Sequence, residues 1–182
     1  MRALQPSVVR RPDIDPRGPA LRAAPSAKIR PMDRPSIFEA AGGEPAFLAL
    51  ATAHHRRCLE DEVLNHPFSH PGHPDHVQRL AWYWAEVLGG PPRFSESCGD
   101  HAAMLGLHAH MGAVDDLGGL FASCFSQAID DIDLPADLDL RSALRAYMAW
   151  ATAEVMSYDD PDAVVPEAAP MPRWDWDGLV ER

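Results

Sequence analysis

The chain has 182 residues, 46% of them hydrophobic, which suits one core of ordinary domain size with room for tails. Its formal net charge of -11 excludes nucleic acid as a partner, because phosphate binding requires a basic stripe. Cys58, Cys98 and Cys124 are an odd, widely spaced set without a CxxC pair, which excludes a disulfide framework or a thiolate zinc site and fits a reducing, cytoplasmic setting.

No stretch reaches the roughly 18 apolar residues of a membrane span, and the arginine-rich N-terminus has no apolar signal core, so no membrane association is expected. Residues 1–35 alternate arginine, proline and small residues, a composition that buries too little apolar surface to offset ordering entropy. This predicts a disordered N-terminal arm. The domain is expected over 36–157 as all-α, since no run of alternating β-branched residues demands a sheet.

Ser36 with Glu39 has capping-box spacing, and Gly42-Gly43 ends the short first helix. A second helix is expected from about Pro45 to Glu60, followed by a turn-rich interval, NHPFSHPGHPD. Asp75 opens a helix to Leu88, stopped by Gly89-Gly90-Pro91-Pro92. A short helix follows over His101–His110, then one from Asp115 and Asp116 to about Ala128, their carboxylates suiting its positive end. The last helix, Leu138–Met156, carries Leu140, Leu144, Tyr147, Met148 and Ala151 at helical spacing, most simply as core. Residues 158–182 form a proline- and tryptophan-containing tail, expected to be extended, with Trp174 and Trp176 able to dock on the domain or on a partner.

All nine histidines lie between His54 and His110, so metal or proton chemistry is sought there. His66, His70, His73 and His76 are spaced as if along one helical face, but Pro67, Pro71, Gly72 and Pro74 interrupt any helix. A non-haem metal-binding loop over these histidines is one alternative for the chain's function. No GxSxG nucleophile context and no Gly-rich phosphate loop is present.

The stretch GGPPRFSESCGDHAAMLGLHAHMGAV, followed by LFASCF, resembles the group II truncated globins, as do SIFEAAGGEPAF before it and QRLAWYWAEVLGG. The resemblance covers Ser36 to Met156 and implies a two-over-two helical sandwich around haem b. It places His108, in the context LHAHM, at the iron; read alone, His108 is a packed or solvent-facing histidine. It places Phe68 against the haem, although Phe68 is otherwise a linker core residue. His76 falls at the distal position, where it can hydrogen-bond a bound ligand, swing to solvent or ligate iron. Leu80 shares its face, and Trp84 lines the pocket or is core.

The chain departs from the group II pattern in three places. Where the family has a Phe-Tyr pair, this chain has His54-His55, so in that register His55 replaces the distal tyrosine. Phe121 stands where the family has a tryptophan and loses the indole donor. Leu107 stands where an arginine pairs with a haem propionate, leaving Arg79 or Arg93 as the nearest cations, each equally readable as a solvated arginine. Cys124 matches a family cysteine and reads as inert and buried. The function the resemblance implies is binding of oxygen or another diatomic gas (NO, CO). NO dioxygenase or peroxidase-like redox chemistry is a further option, with His55 and His76 as candidates for proton delivery and a reductase as partner. A haem-free, globin-like interaction module is the other alternative.

Overall fold

The computed structural model describes residues 34–70, 72–110 and 116–180. The expected disordered arm lies outside the described residues except for Arg34 and Pro35. Residues 35–182 form one compact unit.

Among the described residues there are eight helices. The capping box forms at the start of α1 (Ile37–Ala41): the Ser36 hydroxyl accepts from the Glu39 N–H, and the Glu39 carboxylate accepts from the Ser36 N–H at 2.9 Å. Gly42 ends α1 at φ +108°, a left-handed conformation that a side chain would strain. Then come α2 (Glu44–Glu60), α3 (Asn65–Ser69), α4 (His76–Val87), α5 (Arg93–Ser97), α6 (His101–His108), α7 (Leu117–Asp131) and α8 (Leu138–Met156).

Two helices were not expected from the sequence. In α3, Pro67 falls in the first turn, where its missing N–H is not needed, so the proline-rich interval still makes one turn of helix. In α5, Pro91 and Pro92 precede the helix instead of interrupting it. Asp115 lies outside the described residues, and Asp116 is the N-cap of α7.

The fold is the two-over-two sandwich: α2 packs on α4, α7 packs on α8, and α2 joins the layers by packing on α7. Between them Phe47, Leu50, Trp84, Phe125, Ile129, Leu144 and Met148 are almost fully buried. Burying each such side chain stabilises the fold by about 1.5–3 kcal/mol. The glycine pair after α4 does more than stop that helix. A Cβ on Gly89 would lie 2.7 Å from the Ser36 Cβ, and one on Gly90 would lie 2.8 Å from the Phe38 ring. The absence of side chains lets the Phe38 N–H reach the Leu88 carbonyl at 3.0 Å, fastening α1 to the end of α4.

The C-terminal tail, expected to be extended, forms a small hairpin of β1 (Trp174–Asp175) and β2 (Gly178–Leu179), with Trp174 opposite Leu179. Trp176-Asp177 supplies the turn, and Gly178, the first residue of β2, has φ +114°. Trp174 packs on Trp150 and Tyr147 of α8, ring centroids 5.4 and 6.0 Å away, and the Trp176 indole donates to the Pro35 carbonyl at 2.7 Å. Among the described residues no helix is long and apolar enough to cross a membrane.

Candidate functional site

Side chains from α2 to α8 line a cavity of about 830 Å³ with mostly apolar walls. That size and character suit a flat hydrophobic cofactor or a ligand of similar bulk. His55, Phe68, His76, Leu80, Trp84, Leu107, His108 and Phe121 all contribute to its wall. They span 67 positions of sequence, from α2 to α7.

His108 ends α6, and its ring is oriented by its own helix. Nδ1–H donates to the Met104 carbonyl one turn earlier, at 2.8 Å. With Nδ1 used in this way, the lone pair on Nε2 is left for a metal, which is how a protein fixes the tautomer of a ligating imidazole.

From α4, His76 contributes a second imidazole, 5.4 Å from the His55 ring of α2 and 6.1 Å from the Phe68 ring, measured between centroids. Burial first, then the neighbouring His55, His108, Arg79 and His73, hold the His76 pKa below its ordinary value. Burial lowers that of His55 as well, and its Nδ1 is buried with no hydrogen-bond partner among the described residues. Both rings therefore favour the neutral form at neutral pH, able to donate through one nitrogen and accept through the other.

His54, the other member of the pair, turns away from the cavity and is 0% exposed. It packs edge-on against Trp84, Phe121 and Phe125, and its Nε2 lies 3.3 Å from the Phe121 carbonyl and 3.5 Å from Cys58 Sγ. Burial pushes its pKa down to about 4, opposed by the Phe121 carbonyl and reinforced by His55 and His76. Cys124 is buried, and burial raises its pKa and that of Cys58, which keeps both thiols protonated and unreactive.

The two candidate arginines separate. Arg93 is not part of the cavity wall and pairs with Glu44, because α5 directs it back toward the start of α2. Arg79, three residues after His76 on α4, lines the cavity and donates to the Cys98 carbonyl at 3.2 Å. Leu107 lines the cavity edge and is 75% exposed. Among the described residues no group of three or more His, Cys, Asp or Glu side chains is placed to hold a metal ion.

Four cavity groups were not singled out from the sequence. Tyr83 and Glu154 line the wall, and His101, 1% exposed, lies between them. Tyr147, read as plain core, also lines the cavity; its fully buried hydroxyl has no hydrogen-bond partner among the described residues, and burial raises its pKa well above the ordinary value. Tyr83 stood within reach of sequence reasoning, being three residues after Leu80 and so on the same helical face. Nothing in the sequence pairs it with His101.

A family model described as bacterial-like globin matches residues 36–155. Among solved structures, a thermostable hemoglobin from Thermobifida fusca is 26% identical, covering 70% of this chain and 100% of its own, with a TM-score of 0.57. A truncated oxygen-avid haemoglobin from Bacillus subtilis is 20% identical, covering 66% of this chain and 98% of its own, with a TM-score of 0.57. A group II truncated hemoglobin from Bacillus anthracis is 21% identical, covering 67% of this chain and 91% of its own, with a TM-score of 0.56. The last two likenesses bear on the fold alone. None of the curated proteins matches the chain.

Proposed function

The chain belongs to the bacterial-like globin family, and on that premise we propose that it holds one haem b in the central cavity through His108 and binds oxygen or another diatomic gas there. The observation that carries this reading is the His108 ring. Its Nδ1 is occupied by the Met104 carbonyl at 2.8 Å, and its Nε2 is left as a donor on the wall of an apolar cavity of about 830 Å³. When bound, haem supplies an iron that takes a gas ligand and changes redox state.

The protein's own residues orient and shield. Phe68, Leu80, Trp84 and Phe121 provide apolar walls that exclude water from the bound group. His55 and His76, with depressed pKa values, present neutral imidazoles able to donate one hydrogen bond to a ligand. Arg79, which lines the cavity and donates to the Cys98 carbonyl, would be the cation to pair with a haem carboxylate. Redox turnover on NO calls for a reductase and turnover on peroxide for a reducing co-substrate, with His55 and His76 as the candidates for proton delivery.

The test is the visible absorption spectrum of the purified, haem-supplied protein, ferric and ferrous, beside His108→Ala. A stoichiometric Soret band in the parent that weakens or shifts in the variant supports the reading, and the ferrous bands report whether His55 or His76 closes the sixth position. Absence of stable haem in both proteins overturns it in favour of a haem-free helical module.

A further inference from the structure

Gas binding leaves one polar chain in the cavity unused. Tyr83 of α4 is 7% exposed, and its hydroxyl lies 2.7 Å from Nδ1 of His101 at the start of α6. On the far side of that ring, Nε2 of His101 lies 3.2 Å from Oε2 of Glu154 on α8, off the line of a straight hydrogen bond. The Glu154 side chain keeps 24% of its surface in contact with solvent. Three helices thus each supply one group to a path that runs from the cavity wall, through a buried imidazole, to the surface.

The chemistry of this order is specific. A phenol loses an electron readily only if its proton can leave at the same time, because the oxidised phenol is a strong acid. A hydrogen-bonded base provides the place. The Glu154 carboxylate favours the His101 tautomer with hydrogen on Nε2, which turns the Nδ1 lone pair toward the Tyr83 O–H. Its Oε2, 3.2 Å from Nε2, is the next acceptor for a proton that reaches the ring. Tyr147 supplies the internal contrast. It lines the same cavity, but its hydroxyl has neither base nor any other partner among the described residues, so its oxidation has no proton acceptor.

We propose that Tyr83, relayed through His101 to Glu154, is a redox-active residue that gives its electron to the oxidised site and its proton to His101 during reduction of hydroperoxides in the haem-loaded cavity. The proposal rests on the haem reading above. Overall, a hydroperoxide ROOH and two molecules of a phenol- or ascorbate-type donor AH give ROH, water and two radicals A•. The O–O bond breaks and takes up two electrons. In each one-electron step the Tyr83 O–H bond breaks, the electron goes to the oxidised site, and the proton goes to His101 Nδ1 and out through Glu154. A hydrogen atom from AH then restores the Tyr83 O–H bond. The protons that complete the products are drawn from solvent, so atoms and charge balance.

The test uses the full chain. Haem loading is first read from the Soret band, which judges the haem reading separately. The ferric protein is then mixed with one equivalent of hydrogen peroxide, frozen and examined by electron paramagnetic resonance. The expected result is a tyrosyl signal in the parent that is lost in Tyr83→Phe, kept in Tyr147→Phe, and reduced in His101→Gln, with slower formation in deuterated water. No tyrosyl signal in the parent, an undiminished one in Tyr83→Phe, or loss in Tyr147→Phe alone overturns the proposal. Should Tyr83→Phe not fold, His101→Gln leaves the phenol in place, and an undiminished signal there overturns the relay. If haem does not load, photo-oxidation of the apo-protein by a soluble ruthenium(III) oxidant reads the same variants with the same arms.

Discussion

His54 and Phe121 touch: their ring centroids lie 4.3 Å apart, and the His54 Nε2 is 3.3 Å from the Phe121 carbonyl. These are two of the positions at which the chain departs from the group II pattern, one on α2 and one on α7. Trp84 and Phe125 close around the imidazole, with ring centroids 5.3 and 6.0 Å away. His54 and Phe121 therefore meet at one place, which leaves a buried histidine among aromatic rings.

That histidine ties stability to pH. Its pKa falls from 6.5 unfolded to about 4 folded. The unfolded chain thus binds the proton first, and stability that is whole above pH 6.5 is lost as pH falls toward 4. The loss from this one group is on the order of 3 kcal/mol once both states are protonated. Urea titrations across this range are expected to show the decline in the parent and a shallower one in His54→Phe. Parallel curves for the two proteins would rule the linkage out.

In the proposed reading His55 takes the place of a tyrosine hydroxyl as donor at the cavity, and its buried Nδ1 has no partner among the described residues. His55→Phe removes a hydrogen bond of about 1 kcal/mol to a bound ligand, so oxygen dissociation is expected to speed up by about fivefold to tenfold. Stopped-flow release from the ferrous oxygenated protein measures this. Unchanged kinetics would transfer the role to His76.

Arg79 and Arg93 predict opposite results. Arg79 lines the cavity, whereas Arg93 is engaged by Glu44. Arg79→Leu is expected to accelerate haem loss by about tenfold, the worth of one charge-assisted hydrogen bond, and Arg93→Leu to leave it unchanged. Transfer of haem to excess apomyoglobin gives both rates, and an effect of Arg93→Leu alone would reverse the assignment.

The C-terminal hairpin stabilises α8 by covering its outer aromatic face. Trp174→Ala removes the ring that packs on Trp150 and Tyr147 and is expected to cost about 2 kcal/mol. The denaturation midpoint should fall without a change in slope. A midpoint equal to the parent's would mean that the hairpin adds nothing to the fold.

Much of the architecture is legible in the sequence because it depends on local rules. The Ser36–Glu39 box, the Gly42 and Gly89 stops, and the apolar spacing from Leu138 to Met156 each act within a turn or two of their own position. The two short helices escaped because their prolines sit in or before a first turn, where proline is permitted, while composition alone marks such stretches as loop. The tail was read as extended because its two-residue strands give no periodicity to detect.

The sequence alone determined the all-α class, the resemblance to group II truncated globins, and the crowding of imidazoles into one interval. It did so because helix periodicity and capping are short-range and because a motif keeps its order whatever its surroundings. Tertiary structure alone decided which of two adjacent histidines faces the cavity, which of two arginines is left to serve it, and that Tyr83, His101 and Glu154 form a chain. Those outcomes depend on burial and on hydrogen bonds between groups 18 and more residues apart, such as Tyr83 and His101. Such partners meet only when helices distant in sequence pack, and no spacing along the chain records the meeting.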